Sequence, residues 1–276
     1  MDAMTIFKDD RSKILDYLRN GDNGSYSNLK SLLIQFEKMD LFPEHYIFNL
    51  TLRDDKRGYG FYEFPTNELC SSLASIFKYL NIKKLNEVAA GSGLLTARLR
   101  DFTDVQISPS DSKLFCTSCN LKTFIEVHKI NFRKINNSHT ILISWLHADC
   151  ENEFIEMINK NKPLHILHLG DTAGGCCYSD DFLTEMKKSG YNHFIVPLKM
   201  ISKADYFTYD KIRPKQGDSS RTALTLLSKE DINIKELFEI LGDRICHHLQ
   251  LTPAYCLQDI NEYYKSQNKI RQTFSN

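Results

Sequence analysis

An excess of charge of either sign is missing from this chain: Lys+Arg and Asp+Glu both total 35 in 276 residues, which leaves a net charge of zero. That excludes a strongly basic nucleic-acid-binding protein at the level of the whole chain. Long apolar runs are missing too. The most apolar stretches, such as the one ending at Trp145, fall far short of a membrane span. The opening Met1-Asp2-Ala3-Met4 has no apolar core of the kind a secretory leader carries, so a cytoplasmic protein with reduced thiols is expected despite its 8 cysteines. Cys116 and Cys119 form a single CxxC with no second one beside it, and no metal site is expected. Internal repeats and low-complexity segments are absent.

What is present is an ordinary globular mixture, 42% hydrophobic and 25% charged. Residues 1–57 read as a helical N-terminal cap, with Ile14, Leu15 and Leu18 and then Leu29, Leu32, Leu33 and Phe36 at helical spacing. An aromatic loop, Gly58 to Pro65, follows. Thr66 offers a helix cap, and Leu69, Leu73, Ile76, Phe77 and Leu80 make a helical stripe. From there strand and helix alternate. Strands are expected at Lys84–Val88, Val105–Ser108, Phe124–Lys129, Thr140–Trp145, His165–Leu169, His193–Pro197 and Arg221–Leu227. Helices are expected from Leu94, near Ser112–Asn120, at Glu151–Asn159 and at Phe182–Lys188, the last closed by Gly190. Residues 231–276 read as a helical C-terminal extension.

Alternating strands and helices with β-branched strand runs point to a mostly parallel sheet covered on both faces. Ligands on such sheets bind beyond the carboxyl ends of the strands, where the strand order reverses. The first turn to inspect is therefore Glu87-Val88-Ala89-Ala90-Gly91-Ser92-Gly93, between a strand and a helix. Gly91 and Gly93 allow unusual backbone angles and close approach of a ligand to the main chain. Packing of a tight turn would require the same glycines. No Gly-Lys-Ser/Thr follows, so the turn is not a P-loop, and Thr96 stands where a dinucleotide motif would have its last glycine.

This segment resembles motif I of class I S-adenosylmethionine-dependent methyltransferases, an acid followed by three alternating glycines. Glu87 matches the acid, Gly91 and Gly93 match the second and third glycines, and Ala89 replaces the first. The resemblance extends over about residues 58 to 227. It takes in the Tyr-Gly-Phe-Tyr loop, Trp145 after the fourth strand, Gly170-Asp171 after the fifth, Gly174-Gly175 and Phe182, an order shared with an uncharacterised methyltransferase-like group.

The resemblance implies a Rossmann-like methyltransferase fold over residues 58–230, with a mostly parallel seven-stranded sheet. It implies S-adenosylmethionine as cofactor, held by Glu87, Ala89, Gly91, Gly93, Ser108, Asn131, Ser144 and Trp145. Ser108 takes the place of the family's acid at the end of strand two. Asp111, three residues on, is the alternative, and a neutral ribose contact through Ser108 is the simpler reading. Asn131 matches the polar residue near the adenine and equally suits a surface turn.

A base is needed only where the acceptor must lose a proton. Asp171 and Tyr59 are the catalytic candidates, with Tyr62, His147 and Asp149 behind them. The acceptor is open among small molecules, protein side chains and RNA, and neither a membrane nor a strong nucleic-acid signature enters. A methyltransferase-like scaffold that has lost activity is the rival reading. Ala89, Ser108 and the Leu146 that follows Trp145 in place of proline speak for it.

Overall fold

The structure is a computed structural model that describes residues 65–112, 123–136, 138–146, 150–171, 177–198 and 222–245. The N-terminal cap 1–57, the helix near Ser112–Asn120, the CxxC and the end of the C-terminal extension lie outside these residues, apart from Ser112 itself.

The first described helix, α1 (Asn67–Tyr79), starts where the sequence offers a cap: the Thr66 hydroxyl accepts from the Leu69 amide at 3.0 Å. Its apolar stripe, Leu69, Leu73, Ile76 and Phe77, is fully buried. β1 (Lys84–Val88) follows, then α2 (Leu94–Leu99), β2 (Gln106–Asp111) and the short β3 (His128–Lys129). After a 3-10 turn at Phe132–Lys134 come β4 (Thr140–Ser144), α3 (Glu151–Asn161), β5 (His165–Asp171) and α4 (Asp180–Lys188). β6 (Asn192–Val196), β7 (Thr222–Ser228), α5 (Ile234–Leu241) and a 3-10 turn at Gly242–Arg244 complete the order. Ser179 caps α4 by accepting from the Phe182 amide, and Gly190 stands just past its end with φ +84°, the left-handed stop expected of it.

The seven strands form one sheet in the order β3-β2-β1-β4-β5-β7-β6. β7 alone runs against its neighbours, pairing antiparallel with β5 and with β6, while the other pairs are parallel. Helices cover both faces. Leu69, Phe77, Leu95, Leu99, Leu237 and Leu241 from α1, α2 and α5 join one core with Leu85, Leu142 and Leu167. Phe154, Met157, Phe182 and Met186 from α3 and α4 join the other with Val88, Ile141, Ile143 and Ile166. This is the mostly parallel seven-stranded Rossmann-like sheet, covered by helices on both faces, that was expected. α5 packs with the sheet's own helices: the Tyr79 hydroxyl donates to the Asn233 carbonyl at 3.2 Å, and Arg244 just beyond α5 donates to the Ser71 carbonyl at 3.1 Å.

Two strands differ from expectation. β2 does not stop at Ser108 but continues through Pro109 to Asp111. The Ser110 carbonyl faces β1, accepting from Ala90, so the alternation of a strand turns Pro109 toward β3. β3 begins to pair only at Ser110, opposite His128, so the missing proline N–H breaks no ladder bond. β3 itself is two residues rather than the expected Phe124–Lys129. The residues before it leave the sheet to lie on the glycine turn, where the Phe124 amide donates to the Ser92 carbonyl at 2.9 Å.

Candidate functional site

The strand order reverses between β1 and β4, so the site is built at the carboxyl ends of β1, β2 and β4. At the end of β1 the chain turns through Ala89, Gly91 and Gly93 with φ of +55°, +54° and +73°. All three positions of the alternating glycine pattern are left-handed, including the one filled by alanine. An alanine there costs about 1–2 kcal/mol. Ala89 is exposed and leaves no packing behind when truncated. Ala89→Gly should therefore raise stability by about 0.5 kcal/mol, net of the entropy glycine loses on folding. A urea unfolding series checks this, and a lower midpoint for the variant would count against the strained turn.

Gly93 is the tightest point. A Cβ built on it falls 2.7 Å from Ile125 Cγ1 and 2.8 Å from Val127 Cγ2. Segment 123–127 thus rests on the glycine itself, while the Gly93 amide closes the turn on the Ala90 carbonyl at 2.8 Å.

Two acids flank the turn. Glu87, 2% exposed, lies beneath it in β1 and accepts from the Thr96 hydroxyl and amide of α2. Burial pushes its carboxyl up to about 7; the Thr96 bonds act against the rise and the nearby Asp111 charge adds to it. Asp111 closes the turn from β2, its Oδ2 accepting from the Gly91 amide at 3.0 Å. The Ser110 hydroxyl donates to the Glu87 carbonyl at 3.3 Å and ties the two strand ends together. Glu87, Gly91, Gly93 and Asp111 therefore form one constellation.

Ser108 is not part of it. It lies within β2 opposite Asn86 and is exposed, because the strand runs on. The strand-end acid position belongs to Asp111, and the reading of Ser108 as the strand-end residue is corrected accordingly. Asn131 lies two residues past β3, where its side chain accepts from the Arg133 amide at 2.9 Å and caps the 3-10 turn. That is the surface-turn role weighed for it from sequence. Ser144 ends β4, half-buried, and Trp145 follows at 9% exposure with φ +61°. Asp171 ends β5 and pairs with Thr222 of β7, so its backbone stands on the same rim. Tyr59, Tyr62, His147 and Asp149 lie outside the described residues.

Sequence reasoning passed over Thr96, the Ile125–Val127 cover and His168 of β5. The last carries no periodic signal, because its partner Leu146 lies on another strand's turn. Among the described residues no group of three or more His, Cys, Asp or Glu could hold a metal ion. No described helix is long and apolar enough to cross a membrane.

No family model matches the chain. It is 36% identical over 246 residues to an uncharacterised protein of Acanthamoeba polyphaga mimivirus, covering 84% of this chain and 42% of that protein. A second uncharacterised protein of the same virus is 31% identical over 287 residues, covering 98% of this chain and 62% of the relative. The chain thus spans about half the length of the curated relatives it matches. Among solved structures, human N-acetylserotonin methyltransferase in complex with SAM matches with a TM-score of 0.39 and 11% identity, over 60% of this chain and 52% of that one. The mitomycin 7-O-methyltransferase MmcR matches with a TM-score of 0.38 and 11% identity, over 58% and 53%. The S-adenosylmethionine-dependent methyltransferase SibL matches with a TM-score of 0.37 and 8% identity, over 74% and 76%.

Proposed function

We propose that the chain binds S-adenosylmethionine across the carboxyl ends of β1, β2 and β4 and transfers its methyl group to an acceptor. The observation that carries this reading is the left-handed run Ala89, Gly91, Gly93, closed by Asp111 at the point where the strand order reverses. Such a run lets a ligand come close to the main chain. The buried acids beside it suit the ligand's polar groups: Glu87 an ammonium, Asp111 the ribose hydroxyls. Glu87, Gly91, Gly93 and Asp111 would hold the cofactor, with Ser144 and Trp145 on the neighbouring rim.

Bound S-adenosylmethionine supplies a methyl group already activated on a sulfonium. The chain's own task is to hold two molecules in line and keep water out. A base enters only for an acceptor that must lose a proton, and Asp171 at the end of β5 and Tyr59 are the candidates. The acceptor is a small molecule, a protein side chain or an RNA base, met in the cytoplasm.

Calorimetric titration with S-adenosylmethionine and with S-adenosylhomocysteine tests the reading. Micromolar binding to either, about −8 kcal/mol, is the expected result. Absence of heat from a chain that still unfolds cooperatively would overturn it. That outcome would favour a methyltransferase-like scaffold without activity, the reading that Ala89 in place of a glycine supports.

A further inference from the structure

His168 is buried in the middle of β5 at 2% exposure, on the face covered by α3 and α4. An apolar cover calls for leucine or isoleucine there, as at Ile166 two residues before. The imidazole instead reaches across to β4, where its Nε2 accepts from the Leu146 amide at 3.3 Å. Its Nδ1 is buried with no hydrogen-bond partner among the described residues. Burial holds the ring neutral, with its pKa pushed down to about 3. A neutral ring has one donor and one acceptor, so acceptance at Nε2 puts the proton on Nδ1.

The surroundings are shaped for this ring. Tyr178 stands edge-on to it, with ring centroids 4.8 Å apart, and is itself fixed by a 2.6 Å bond between its hydroxyl and that of Thr225. Gly170 leaves the space: a Cβ there would fall 2.6 Å from His168 Cε1 and 2.7 Å from Cys177 Sγ.

What the ring holds is the turn after β4. Trp145 is left-handed at φ +61°, a conformation a bulky residue keeps only where its neighbours enforce it. Its amide donates to the Leu169 carbonyl at 2.8 Å, and the next amide goes to His168. Two successive amides of this turn are thus tied to β5, one by its backbone and one by a side chain.

We infer that His168 is a positioning residue whose Nε2 holds the Leu146 amide and thereby keeps Trp145 in its left-handed place on the rim. The identity of what that rim binds rests on the methyltransferase reading; the clamp itself does not. Trp145 is the single tryptophan of the chain, so its fluorescence reports this turn alone.

Two variants separate the clamp from mere filling of space. His168→Leu fills the cavity without an acceptor. His168→Gln returns an acceptor oxygen near the position of Nε2. Acrylamide quenching of Trp145 should rise at least twofold in His168→Leu and stay close to wild type in His168→Gln. Gly170→Ala, which pushes the ring away, should behave like His168→Leu. Long-range proton–nitrogen correlation on the unmodified chain at pH 7 should find His168 with its proton on Nδ1, and this measurement decides the matter should His168→Leu fail to fold. Unchanged quenching in a folded His168→Leu, or a proton found on Nε2, overturns the inference. Where wild type binds S-adenosylmethionine, its affinity should fall at least tenfold in His168→Leu and recover in His168→Gln. A wild type that binds none removes the functional reading and leaves the quenching result to judge the clamp.

Discussion

Gly93→Ala should lose about 2–5 kcal/mol of unfolding free energy and most of its affinity for S-adenosylmethionine. Two costs combine. Alanine at φ +73° carries the left-handed penalty of about 1–2 kcal/mol. Its methyl group also meets Ile125 and Val127 at distances no carbon pair tolerates, and overpacking of this kind costs typically about 1–3 kcal/mol. The two parts separate experimentally. Val127→Ala made on top of Gly93→Ala relieves the contact with Val127 and leaves the contact with Ile125 and the backbone strain, so the double variant should recover part of the loss beyond the sum of the single effects. Urea unfolding of the four proteins measures this. A Gly93→Ala within about 0.5 kcal/mol of wild type, the range of a neutral surface change, would mean that segment 123–127 does not rest on the turn.

Glu87→Gln should stabilise the chain above pH 7 and leave it nearly unchanged at pH 5. Burial raises the native carboxyl to about 7 from an ordinary value of 4.5, so between these values the native state holds a proton that the unfolded state has released. For a raised acid the sign is fixed. Stability is full below about pH 4.5, falls as pH rises toward 7, and stays low above it. The full effect is about 3 kcal/mol, at 1.36 kcal/mol for each tenfold change in proton affinity. Glutamine imitates the protonated acid and does not titrate, so the difference in melting temperature between variant and wild type should open with rising pH, to about 10 °C at pH 8 for a chain of this size. Parallel melting curves across pH 5–8 would refute the buried proton. An arriving ammonium favours the ionised form. Binding to wild type at pH 7 should therefore release protons and show an enthalpy that depends on the buffer, and Glu87→Gln should lose that dependence.

The parts of the fold legible in the sequence are those where local chemistry and tertiary burial agree. Lys84–Val88 lies between the end of a helix and the glycine turn, and it is β1 to the residue. Thr66 and Gly190 act through their own side chain and backbone, and both sit at helix ends as expected. β2 runs past the expected Val105–Ser108 because the cost of Pro109 in a strand depends on whether a neighbour needs its N–H, which only the sheet reveals. The strand end lies three residues further on than expected, at Asp111, the alternative to Ser108 that the sequence offered. Asn131 ended in a local cap, a use of its side chain that competes with ligand binding in any turn. His168 and Val127 were illegible for another reason: each acts on a residue far away in sequence, and no pattern along the chain encodes such a meeting.

The separations along the chain also imply an order of assembly for the sheet. Glu87 and Ser110 on β1 and β2 are 23 residues apart, and Leu146 and His168 at β4 and β5 are 22 apart. His165 and Ser228 on β5 and β7 are separated by 63, and closing that loop costs about 1 kcal/mol more than closing the shorter ones. The β1–β2 pair and the β4–β5 pair can each form early, while the seam between β1 and β4 joins two such pieces. The glycine turn belongs to one piece and the Trp145 turn to the other. A ligand bridging them recognises only the joined state, so it should act as a latch: it slows unfolding without hastening folding, and it protects the seam's amides from exchange more than those within either piece.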